Sequence, residues 1–145
     1  MGSKLNVKRW LIATVVVFVV MAALEYIIHG VLLAPWYAET PQYWRTQSDM
    51  MGRIRWMYLG YAFFAALFTY VFTRGYEGKP GIGEGVRYGF WIGLLLCLPT
   101  MFINHTVFPY PNKIVIAWLA AGVVQAVILG IVLAMIYKGE KKAAK

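Results

Sequence analysis

Residues 10–33 read WLIATVVVFVVMAALEYIIHGVLL, an apolar run broken by few polar residues, chiefly Thr14, Glu25 and His29. Crossing the hydrocarbon core of a bilayer as a helix takes about 20 mostly apolar residues, and this run has that length. It shows no sustained alternation of polar and apolar residues, which disfavours a lipid-facing barrel strand. Backbone polar groups inside lipid must pair within their own segment, so the run reads as a helix. The basic start, Lys4, Lys8 and Arg9, resembles a signal peptide. The apolar run is too long for that, and no small-x-small cleavage site comes after it, so it reads as a retained anchor. Met1-Gly2 fits a myristoylation start, but Asn6 stands where Ser or Thr is wanted.

The same reading extends to residues 55–73, 86–108 and 114–137, all rich in Val, Leu, Ile, Ala and Phe. Composition agrees. The chain has 145 residues, 61% hydrophobic and 14% charged. Soluble domains run nearer half apolar and a quarter charged, so a cytosolic globular enzyme is excluded, as are disorder and a coiled coil. The lone cysteine, Cys97, excludes an internal disulfide framework and a cysteine-based zinc site. The expectation is an all-α fold: one membrane domain over residues 1–145, built as a four-transmembrane-helix bundle. An outer loop covers 34–54 and a cytoplasmic loop 74–85.

Charge sets the expected topology. One side would carry Lys4, Lys8, Arg9, Arg74, Lys79, Arg87, Lys138, Lys141, Lys142 and Lys145, ten in all. The other would carry Arg45, Arg53, Arg55 and Lys113, four in all. That bias places both termini in the cytoplasm. The net charge of +8 then belongs to helix flanks, where anionic headgroups attract each lysine by about 1 kcal/mol. The lipid bilayer is the expected partner. No basic recognition motif is present, so no nucleic acid is expected.

In the outer loop, Thr40-Pro41 has the form of an N-cap with proline next, at the first helical position. A short interfacial helix would then run on, with Tyr43, Trp44, Gln47, Met50, Met51 and Ile54 on one side. With Trp36, Tyr37 and Trp56 it would belong to the aromatic belt, as an anchor or as a lid over an outward-opening site. The cytoplasmic loop holds Gly75, Gly78, Gly81, Gly83 and Gly85, without the strand or spacing of a phosphate loop.

Glycines at 81, 85, 89 and 93 recur every four residues, and Gly122, Ala126, Gly130 and Ala134 repeat the pattern. Small residues so spaced let membrane helices approach closely. Gly85, Gly89 and Gly93 are therefore expected to pack on Gly122, Ala126 and Gly130, or to form the seam of a homo-oligomer or larger membrane complex. Pro99 is expected to kink or loosen its helix.

Ionisable groups inside membrane helices are costly, so each is a functional hypothesis. Glu25 and His29 lie four apart on one face of the first helix. Asn104 and His105 lie at the outer end of the third, at the depth of His29, with Glu25 about 6 Å deeper by helical rise. Gln125 falls near the middle of the fourth. If helices one and three are neighbours, these groups converge. They would then form a ligand or proton site, or simply bond across helices as glue. Three functions fit. The first is a membrane subunit or ligand-binding protein with an outward-facing polar site around Glu25. The second is a proton-coupled small-molecule transporter acting as a dimer. The third is a redox protein holding haem between His29 and His105, or a metal ion on Glu25, His29 and His105. No cofactor is otherwise expected. No nucleophile, base and orienting group stand together, so no catalytic residue is assigned and enzyme activity is not favoured.

The runs His29-Gly30-Val31-Leu32-Leu33, Gly75-Tyr76-Glu77-Gly78 and Glu84-Gly85-Val86-Arg87-Tyr88-Gly89 resemble a group of small bacterial four-helix integral membrane proteins without assigned function. The resemblance covers residues 10–137 and implies a multi-pass protein of the bacterial cytoplasmic membrane. It implies no mechanism. A looser, architectural likeness is to small multidrug exporters, which also have four helices and an acid in the first.

Overall fold

The computed structural model describes residues 5–78 and 82–137. The chain is all-α there, with four helices long and apolar enough to cross a membrane. The first, α1 (Val7–Glu25), starts at Asn6, whose side chain accepts the Arg9 N–H at 3.1 Å. It continues without interruption into a π-helical turn, Tyr26–Leu32, closed by the Leu33 N–H on the Ile28 carbonyl at 2.9 Å. Such wide turns are rare and cluster at functional sites. After a bend at Leu33 comes the short α2 (Ala34–Ala38), with Pro35 in its first turn, where a missing N–H is harmless. Next come α3 (Gln47–Gly75), α4 (Gly83–Val107) and α5 (Asn112–Ile136).

The expected helix opening at Pro41 is corrected. The loop does contain a short helix, but it is Ala34–Ala38; Pro41–Tyr43 forms a single 3-10 turn. The Thr40 hydroxyl does not cap. It donates to the Trp36 carbonyl at 2.8 Å and accepts the Trp44 indole N–H at 3.1 Å. The working cap is Thr46, whose hydroxyl accepts the Asp49 N–H at 3.3 Å. Thr46-x-x-Asp49 is a start signal, and α3 accordingly begins eight residues before the expected 55. The outer connection is thus shorter than 34–54. At the other end, Gly78 takes a φ of 74°, a left-handed conformation that favours glycine. Gly81, Lys79 and the lysines at 138–145 lie outside the described residues.

The long helices alternate in direction. α4 and α5 pack antiparallel through their small residues, with Gly85 beside Gly130 and Gly89 beside Ala126. A Cβ placed on Gly85 would overlap the Gly130 carbonyl, and one on Gly89 would overlap that of Ala126. A Cβ on Gly93 would stand 3.0 Å from the Ala126 methyl, and one on Gly122 would stand 2.6 Å from Cys97 Sγ. This contact lies within one chain, and van der Waals attraction between nearly touching backbones holds it. α4 continues as helix through Pro99.

The first helix packs against α3 and α5. Its buried face, Ala13, Val17 and Met21, meets Ala65, Phe68 and Phe72 of α3 and Leu129 and Leu133 of α5. The Tyr88 hydroxyl donates to the Phe68 carbonyl, its ring meets Phe72 edge to face, and Tyr137 meets Phe72 and Tyr76 in the same way. The outer surface is apolar: Val15, Phe63, Leu95 and Ile116 each leave more than half of their area uncovered.

Candidate functional site

The end of the bundle away from the chain's first and last described residues gathers most of its hydrogen-bonded polar side chains. Glu25 closes α1, and the π turn carries His29 above it. Two donors bond the Glu25 carboxylate, and a third polar group stands close to it. The Gln125 amide of α5 donates to Oε1 at 3.0 Å. The Tyr61 hydroxyl of α3 donates to Oε2 at 3.3 Å. His29 Nε2 stands 3.5 Å from the same oxygen. A carboxylate only accepts, so the Gln125 and Tyr61 donors are its natural complement.

His29 reaches the other way as well. Its Nδ1 lies 2.6 Å from the Tyr37 hydroxyl, and the Trp118 indole N–H donates to that hydroxyl oxygen at 2.7 Å. An indole nitrogen can only donate. The phenolic hydrogen is therefore free to go to Nδ1, which leaves the imidazole hydrogen on Nε2, facing Glu25. The bonds run from Trp118 through Tyr37 to His29, whose Nε2 stands 3.5 Å from Glu25. Burial raises the Tyr37 hydroxyl above its usual 10.0; the Trp118 bond pulls it back, and the Glu25 charge pushes it further up.

The chain surfaces in a cleft of about 500 Å³. It is lined by His29, Tyr37, Trp44 and Trp118 together with Pro41, Arg45, Thr46 and Met50. Trp44 meets Trp118 edge to face at 5.8 Å between ring centres, and Tyr110 stacks behind Trp44 at 5.4 Å. Two ionic ties brace the rim. Lys113 pairs with Glu39, joining the α2 segment to the start of α5, and Asp49 holds Arg45 at 2.7 Å and Arg53 at 2.8 Å. Aromatic walls with a few placed polar groups, at this volume, are what small-molecule sites are made of.

Of the residues singled out from the sequence, Glu25, His29 and Gln125 meet. Asn104 and His105 do not join them. α1 has α3 and α5 as its main neighbours, because the small-residue face of α4 is committed to α5. His105 is exposed, and no group of three metal-binding side chains forms among the described residues. His29 Nδ1 bonds the Tyr37 hydroxyl, and its Nε2 stands 3.5 Å from Glu25. Cys97, four residues from Met101 and eight from His105, faces Gly122.

Sequence reasoning missed Tyr61 and Trp118, and it placed Tyr37 and Trp44 in the aromatic belt or a lid without linking them to Glu25 and His29. Trp118 precedes Gln125 by seven residues, two helical turns, so the two share a face of α5; that spacing was a readable signal. Tyr61 and Tyr37 carried none, since belt aromatics look the same. No protein-family model, curated protein or solved structure matches this sequence.

Proposed function

We propose that this is a multi-pass protein of a bacterial cytoplasmic membrane, of the small four-helix kind, that binds a small molecule in the cleft above Glu25. The observation that carries the reading is the run of polar contacts from Gln125 through Glu25, His29 and Tyr37 to Trp118, hydrogen bonds except for the 3.5 Å contact of His29 with Glu25, which ends on the cleft wall. A ligand that presses on Tyr37 or Trp118 alters the bond to His29, and so the surroundings of Glu25. Support for membrane placement comes from the apolar outer surface and the four long helices. The bias of basic residues supports cytoplasmic termini and an outward-facing cleft.

Native mass spectrometry of the protein released from nanodiscs of native membrane tests the reading. A retained small molecule at one per chain, lost in Trp44→Ala, is the expected result. Equal retention in both, or none in either, overturns it. Labelling of Gln42→Cys in a Cys97→Ser background by a membrane-impermeant maleimide in intact cells checks the orientation.

A second reading is proton-coupled transport. It is favoured by one feature: Glu25, His29 and Tyr37 are consecutive groups that can each give and take a proton. Glu25→Gln abolishes proton-linked solute movement on that reading, and unchanged transport discards it.

A further inference from the structure

The lining of the cleft bears on the chemistry of its occupant, an inference that rests on the binding function just proposed. Most polar groups in the cleft wall are already satisfied from within. His29 is held by Tyr37 and faces Glu25, and Trp118 donates to Tyr37. Trp44 donates its indole hydrogen to Thr40. These residues therefore present ring faces and edges to an occupant rather than open hydrogen-bond valences. Pro41 and Met50 add further apolar surface.

Arg45 is different. Its side chain is 61% exposed, lines the cleft, and spends one nitrogen on Asp49. A guanidinium has five N–H donors, so most of its capacity remains for an occupant. Nor does Asp49 depend on Arg45, because its other oxygen is held by Arg53 at 2.8 Å. Arg45 can turn toward an anion while the Asp49 charge stays paired. None of the nearby acids, Glu25, Glu39 or Asp49, is among the residues lining the cleft. The side chains that do line it include one permanent charge, and it is positive.

We infer that the cleft takes a single-chain amphiphile with an anionic head: the apolar body lies against Trp44, Trp118 and Met50, and the carboxylate sits on Arg45. A guanidinium fork suits a carboxylate's two oxygens. The volume fits one molecule of drug-like size.

The test uses the full-length protein in phosphatidylcholine nanodiscs, read by native mass spectrometry. The added probes are oleate, methyl oleate and phosphatidylglycerol. Oleate is expected at one per chain, retained at least tenfold more than methyl oleate and more than phosphatidylglycerol. Arg45→Gln is expected to cut oleate retention about tenfold and to leave methyl oleate unchanged. Arg55→Gln, a control on an exposed arginine not among the cleft residues, is expected to change nothing. Trp44→Ala is expected to lower both oleate and methyl oleate. Equal retention of acid and ester, or indifference to Arg45→Gln, overturns the anionic head while Trp44→Ala still reports on the cleft. Preference for phosphatidylglycerol over oleate overturns the single-chain occupant. Indifference of every probe to Trp44→Ala overturns the cleft as a binding site, and with it the proposed function.

Discussion

His29 and Tyr37 are joined by a 2.6 Å hydrogen bond that spans the break between the first long helix and α2. The wide π turn and the bend at Leu33 fold the chain back, so that a residue eight positions later meets the imidazole. This one bond connects the cleft wall to the carboxylate beneath it.

Removing the Tyr37 hydroxyl leaves Trp118 N–H and His29 Nδ1 without their partner. Both groups are half-buried, so each costs less than a fully buried polar group left unpaired, which costs about 1–3 kcal/mol. Tyr37→Phe is expected to lower the thermal midpoint in detergent measurably, whereas Tyr43→Phe, whose hydroxyl makes no hydrogen bond among the described residues, shifts it little. Equal shifts would show that the hydroxyl bridge contributes nothing.

Alkaline pH addresses the same hydroxyl. Its folded-state pKa lies above the unfolded value near 10.0, so the folded form holds the proton more tightly. That contribution is fully present below about pH 10 and is lost as pH rises through the folded pKa. Stability of the wild type is expected to fall above about pH 10 more steeply than that of Tyr37→Phe. Parallel pH profiles for the two would contradict the assignment.

Glu25 answers to two substitutions that differ in what they leave behind. Glu25→Leu strands the Gln125 amide, the Tyr61 hydroxyl and His29 Nε2 together, and is expected to destabilise by about 3 kcal/mol or more. Glu25→Gln keeps a carbonyl acceptor and should lose less than half of that. Chemical denaturation in detergent, monitored by circular dichroism, measures both.

The small-residue face of α4 predicts a sharp contrast. Gly89→Leu drives a side chain into the Ala126 backbone and is expected to separate α4 from α5, seen as lost helicity and aggregation in detergent. Gly60→Ala, at a site with nothing within 4 Å, is expected to be tolerated or to stabilise by about 0.5–1 kcal/mol. An intact Gly89→Leu protein would mean that these helices do not touch there.

Thr46→Ala removes the cap of α3 and is expected to cost about 1 kcal/mol. Faster hydrogen exchange at residues 47–50 would locate the loss. Unchanged exchange would mean that the helix start is held by its tertiary contacts instead.

Much of the bundle was legible in the amino-acid order. The four apolar runs became four long helices because their length and composition are local properties, carried by each segment alone. The period-four glycines announced a close helix contact for the same reason, and Gly85, Gly89 and Gly93 do meet Ala126 and Gly130. The loop was harder. Thr40-Pro41 offered a start signal, but the Thr40 hydroxyl serves Trp36 and Trp44, and Thr46 caps in its place.

The chain's own order of residues determined how many long apolar helices there are, where the rare acid and imidazoles fall along them, and which helix faces can approach most closely. Which helices became neighbours was decided only by the tertiary structure. Backbone contact drew α4 onto α5 and left α1 against α3 and α5. That choice brought Tyr61, Gln125 and Trp118 into the network of Glu25 and His29, and left Asn104 and His105 out of it. A side chain's partner is fixed through space, by elements distant in sequence, and no spacing along one helix encodes it.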